Sequence, residues 1–187
     1  DIIASGKVGN VLAINHEECV GNVHQSHSFV RGNWRDEFTS TPSILAKCCH
    51  DLDLNMWMNS GNEPVSVASF GCNMQFRPEN MPSGAGKRCL VDCPPEVEEK
   101  CLYSAKKMFI DHPNRWSFYV WDALEHLENP TIEDKIALMK TDNPYARCIY
   151  KCDNNVVDHQ SVLVNFASGA TGTHNMVGGS STPLRRI

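Results

Sequence analysis

The stretch ILAKCCHDLDLNMWM, residues 44–58, sets Lys47, His50, Asp51 and Asp53 among leucines, cysteines and methionines. A histidine held by an aspartate one turn away is the pairing that fixes an imidazole tautomer and tunes its basicity, as a general acid or base requires. The apolar spacing predicts one helix across this stretch. At about 100° per residue, Lys47, His50, Asp53, Leu54 and Trp57 share one stripe, while Leu45, Cys48, Leu52 and Met56 point the opposite way, toward a core. Two readings stay open. Either the stripe is an ordinary solvated charged face, or Trp57, a large apolar ring on a polar stripe, marks a face that looks into a cleft.

The chain that must position this helix has 187 residues, 41% of them hydrophobic and 21% charged, enough for one domain with a closed core. A formal net charge of −5 leaves no basic surface of the kind that nucleic acid or an anionic membrane would need. No apolar run approaches the roughly 20 residues of a membrane span. Nine cysteines, several in apolar periodic segments, fit reduced thiols better than a secreted disulfide framework, so a cytoplasmic protein is expected. The chain opens on DIIASGKVG without an initiator methionine and stops on RRI as a new segment begins, which suggests a fragment.

Around the helix, VLAINHE (11–17) and VSVASFG (65–71) read as strands, and residues 19–42 as a long polar loop. EVEEKCLYSAKKMFI (96–110) has acids early and lysines late, the charge order of a helix. TIEDKIALMK (131–140) reads as a short helix with a threonine N-cap. Residues 147–152, 156–166 and 170–177 read as an antiparallel meander. No strand is followed by G-x-G-x-x-G opening a helix, so the dinucleotide fingerprint is missing.

Further candidates come from these segments. In the loop, Arg31 has a fork suited to a carboxylate or a hydroxyl pair and Trp34 a face for stacking on a sugar; a loop pinned to its own domain needs the same residues. Tyr145 and Arg147 stand after Asn143-Pro144, either at the mouth of the sheet or as edge cover. Asp158 and His159 are adjacent on an expected strand and cannot both line one pocket. His24 and His27 fit no metal spacing. Cys89-x3-Cys93-x7-Cys101 gathers three thiols around a proline loop, and Cys148 and Cys152 follow later. A structural zinc on three of these plus a fourth thiol is one reading; free cysteines acting as small apolar residues is the other.

The order GKVGNVL, RGNW, SILAKCCHDLD, YARCIYKCDNNVVDHQ and NFASGATGTHNM resembles the second domain of the Gfo/Idh/MocA family of NAD(P)-dependent sugar oxidoreductases, over nearly the whole chain. The resemblance implies an α+β fold: an open, mainly antiparallel β-sheet with helices packed on one face and a free face that mediates homo-oligomers. It makes residues 1–187 a single C-terminal substrate-binding and oligomerisation domain, with NAD or NADP bound mainly by an N-terminal domain outside this chain. Hydride would pass between the cofactor and a sugar- or polyol-like alcohol. The family's Asp-x-x-x-His-x-x-Asp pattern maps onto His50 and Asp53, but Ala46 stands where the first aspartate belongs, with Lys47 beside it. His50, Lys47 and Asp53 are thus the expected catalytic residues, and this chain alone is not expected to catalyse. Two alternatives are a relative that uses NAD transiently to cleave glycosides and a non-enzymatic module that assembles through its sheet.

Overall fold

The computed structural model describes residues 1–111 and 118–187. Five strands form one open sheet in the order β2-β3-β4-β1-β5. They are β1 (Ala13–Gly21), β2 (Pro64–Cys72), β3 (His159–Phe166), β4 (Thr171–Ser180) and β5 (Leu184–Arg186). Three of the four pairings are antiparallel; β1 and β4 run parallel. The α+β fold with an open, mostly antiparallel sheet is therefore as expected.

Alternation sets what the sheet buries. On β1, Ile14, His16, Glu18 and Val20 face inward, and on β4 Gly172, His174 and Met176 do. The helices cover this face. α2 (Ser43–Ala46) and α3 (Cys49–Met58) follow β1, and α3 packs on β1 and β4. Beneath α3, Val162, Val164, Phe166 and Ala170 form an apolar patch with Ile44, Leu52 and Met56. A second and larger core gathers Val30, Phe76, Tyr103, Met108, Phe109, Met139 and Ile149 from the irregular segments.

The expected helix over 44–58 is broken at Lys47 and Cys48. Cys48, with φ −98° and ψ 4°, leaves helical geometry and becomes the N-cap of α3. Its side chain packs against Val20 and Met176, while Lys47 turns inward to Glu18. The break reorients α3, so Asp51 and Asn55 are its buried residues, whereas Leu45 and Trp57 are 59% and 71% exposed. Gly172 admits this approach, since a Cβ there would stand 3.0 Å from Asn55 Oδ1.

Three other expectations are corrected. The loop expected over 19–42 is helical at its start: β1 runs to Gly21, and α1 (Asn22–His24) continues as a π-helix over Gln25–Arg31 with every residue of that turn buried. The helix expected over 96–110 is interrupted between α4 (Pro95–Glu98) and a π-turn at Lys107–Asp111. Tyr103 leaves the helical path there to meet Phe76 edge-on at 5.2 Å. The strand expected over 147–152 is instead two 3-10 turns, Pro144–Ala146 and Ile149–Lys151, which carry Ile149 and Tyr150 into the larger core. Ahead of these turns in the chain stand α5 (Phe118–Asp122) and α6 (Ile132–Met139), and α6 forms as expected under Thr131, with a full capping box to Asp134.

Candidate active site

The sheet and α3 enclose a cluster of charged and polar side chains where an apolar core would ordinarily lie. Register places His16 opposite His174 across β1 and β4, and Glu18 opposite Arg185 across β1 and β5. Lys47 and Cys48 enter from the helix break, and Asp51 from the first turn of α3.

Asp51 is the hub. Its Oδ1 lies 2.9 Å from Arg185 Nε and 3.3 Å from His16 Nε2, and its Oδ2 lies 3.6 Å from His50 Nε2. Glu18 holds Lys47 Nζ at 2.6 Å and Arg185 Nε at 2.8 Å. Two carboxylates thus face two fixed cations, the balance that a buried charge cluster needs. The contacts to Asp51 are close approaches rather than aligned hydrogen bonds, and among them the one to Arg185 is a charge pair.

His16 and His174 share a contact of 2.9 Å between their Nδ1 atoms, so one ring donates there and the other accepts. With an N–H on His16 Nε2 toward Asp51, His174 must be the Nδ1 donor. The Nε2 of His174 is then a bare lone pair, buried without a hydrogen-bond partner. Burial lowers the pKa of both rings against the pull of Asp51, which keeps them neutral. Burial works to raise the Glu18 carboxyl, but Lys47 and Arg185 overcome it and hold it low. The Cys48 thiol is pushed up to about 12 by burial and then by Asp51.

At the rim of this cluster stands His50, its side chain 48% exposed. Arg185 Nη2 approaches His50 Nε2 at 2.6 Å, so in this arrangement the arginine donates and the imidazole accepts. Cys48, Asp51 and His174 each offer a ligand atom within 4.8 Å of the others, a sulfur, oxygen and nitrogen set of the type zinc accepts. Its carboxylate is already engaged by Arg185.

No family model matches the chain. The chain is similar to "Putative oxidoreductase YteT" of Bacillus subtilis (strain 168), 26% identical over 182 residues. The match covers 95% of this chain and spans only 39% of that protein's length.

Of the residues expected to be catalytic, Lys47 and His50 join the cluster and Asp53 does not: it is exposed on the outer side of α3. Arg31 is buried, donating Nε to the Arg147 carbonyl and Nη2 to the Tyr103 carbonyl, each at 2.8 Å. In that position the guanidinium ties three segments together. Trp34 is 43% exposed and stacks on Phe29. Tyr145 stacks on His27 at 5.1 Å. Arg147 pairs with Asp142 and Asp153 and lines an open basic cleft with Lys87, Arg88 and Lys151, whereas His50 lines neither this cleft nor the cavity at the cysteines. Asp158 is a structural anion whose Oδ2 accepts the backbone N–H groups of Met74 and Gln75.

Sequence reasoning missed His16, Glu18, His174 and Arg185, and it noted Asp51 without assigning it a role. The first two carried a signal, because both stand at the inward positions of an alternating strand.

Proposed function

We propose that this chain is the substrate-side domain of an oxidoreductase acting on a sugar- or polyol-like alcohol, with His50 handling the hydroxyl proton. The observation that carries the reading is a half-exposed imidazole seated against a fully buried carboxylate, Asp51, which is itself braced by Arg185 and His16. Similarity to a protein described as an oxidoreductase supports the reaction class. NAD or NADP, held by another part of the protein, would supply the hydride acceptor. The residues of this chain move the proton. Arg185, a partly exposed side chain on a three-residue strand, swings off His50 Nε2. The freed lone pair takes the hydroxyl proton, and Asp51 stabilises the imidazolium that results. Lys47, neutralised by Glu18, positions the helix break rather than the substrate.

The test uses the full-length protein. His50→Asn is expected to keep NAD(P) binding and to lower turnover by about 10²- to 10⁴-fold. Unchanged turnover would remove His50 from the mechanism.

The sheet supports an assembly role as well. Every residue of β2 is exposed, and Phe70, Leu163 and Val177 stand on one open face at 81%, 47% and 50% exposure. We assign this face to a second copy of the chain.

A further inference from the structure

Residues 73–105 hold only a 3-10 turn at Pro78–Asn80 and the four-residue α4, too little regular structure to fix so long an excursion. Yet this stretch carries Cys89, Cys93 and Cys101, and the fold brings a fourth thiol to them. An isolated antiparallel bridge joins Arg88 to Arg147, with Cys148 N donating to the Lys87 carbonyl at 2.7 Å and Cys89 N to the Ala146 carbonyl at 3.3 Å. This register sets Cys89 opposite Ala146 and Cys148 opposite Lys87, so the two cysteines lie on a diagonal of the bridge with their side chains on the same face. The turn between Cys89 and Cys93 is set by Asp92, whose Oδ1 accepts the Arg88 N–H at 2.7 Å, and by Gly86, where a Cβ would meet Asp92 backbone at 2.4 Å.

All four thiols line one cavity of about 20 Å³, closed over by Pro82, Val97 and Tyr103. That volume admits one water-sized occupant. It is too small for an iron–sulfur cluster, which Cys₄ sets also hold. Cys89 Sγ already accepts the Ala105 N–H at 3.4 Å, the kind of amide contact that supports a ligating sulfur. Cys152 is turned away, its Sγ directed to the Cys148 carbonyl at 3.4 Å.

We propose that Cys89, Cys93, Cys101 and Cys148 bind a single zinc ion that staples the 73–105 excursion to the 144–152 segment. Among the described residues these thiols have not closed to the 4.8 Å mutual spacing of a ligand set, so binding draws them inward by side-chain rotation. The proposal stands apart from the oxidoreductase reading, since the ion is structural and coordinatively closed.

Metal content decides it. The full chain, purified without chelator after growth in zinc-supplemented medium, is expected to carry about one zinc per molecule, a closed site holding one ion. Cys93→Ser and Cys101→Ser are expected to lose it, while Cys152→Ser and Cys48→Ala keep it. Because the serine variants can fail to fold, the wild-type chain loaded with cobalt gives an independent reading. Intense thiolate-to-metal charge-transfer bands with tetrahedral d–d absorption are expected. Bands showing fewer than three thiolates, a zinc-free chain with four free or disulfide-bonded thiols, an iron–sulfur chromophore, or zinc lost in Cys48→Ala but kept in Cys93→Ser would each overturn the proposal.

Discussion

Three buried histidines, His16, His27 and His174, are expected to give the protein a common sensitivity to acid. Burial is the leading cause in each, and His27 is lowered from 6.5 to about 4. A histidine whose folded pKa lies below its unfolded value is protonated first in the unfolded chain, so its stability is present above pH 6.5 and is lost as pH falls. For His27 the loss is complete near pH 4 and amounts to roughly 3 kcal/mol. Urea unfolding between neutral pH and pH 4.5 is expected to show this decline, and His27→Gln to flatten part of it; a level profile would refute the assignment. Legibility at this scale was partial. His50 and Lys47 stood out because their neighbours are apolar, and the structure brings both to the cluster. Asp53 stood out because it lies three residues after His50 on one helix, and α3 keeps that relation, but the break at Cys48 turns α3 so that Asp51 is buried and Asp53 is exposed. Arg185 carried no signal, because its role depends on a strand pairing with residues far earlier in the chain.

Elements were legible where local chemistry determines them. α6 begins at a threonine whose hydroxyl accepts the Asp134 N–H while Asp134 returns a contact to the Thr131 N–H, a pattern readable from four residues. Thr131→Ala is expected to destabilise the protein by about 1 kcal/mol, measured as a shift of the urea midpoint with unchanged slope. β2, β3 and β4 were legible from β-branched and alternating residues. The segments that failed are those whose path is set by distant partners. Residues 96–110 satisfy every local criterion of a helix, yet Tyr103 is worth more against Phe76 and Tyr150 than along a helix face. Residues 147–152 look like a strand by composition but lie against the larger core, where Arg31 and Lys87 take their backbone groups.

Across the whole molecule, two halves do different work. The sheet with α3 builds the charged cluster, and the irregular segments build a separate apolar core around Phe109 and Tyr103. The open face of the sheet is the remaining unpartnered surface among the described residues that this fold leaves broad and partly apolar, and Phe70→Glu with Leu163→Arg is expected to convert a dimer or larger assembly to monomer in light scattering. A variant that keeps the wild-type mass would place the interface elsewhere. The parallel pairing of β1 with β4 has one more effect. His16 and His174 meet from 158 positions apart in the chain, and Glu18 and Arg185 from farther still. While the polypeptide emerges from the ribosome, β1 carries its inward histidine and glutamate with both edges bare until residues 171–186 have been made. A ribosome-stalled chain ending before residue 170 thus exposes an unpaired, partly charged strand, a ready target for a chaperone, and completes its charged cluster only once β4 and β5 have been made.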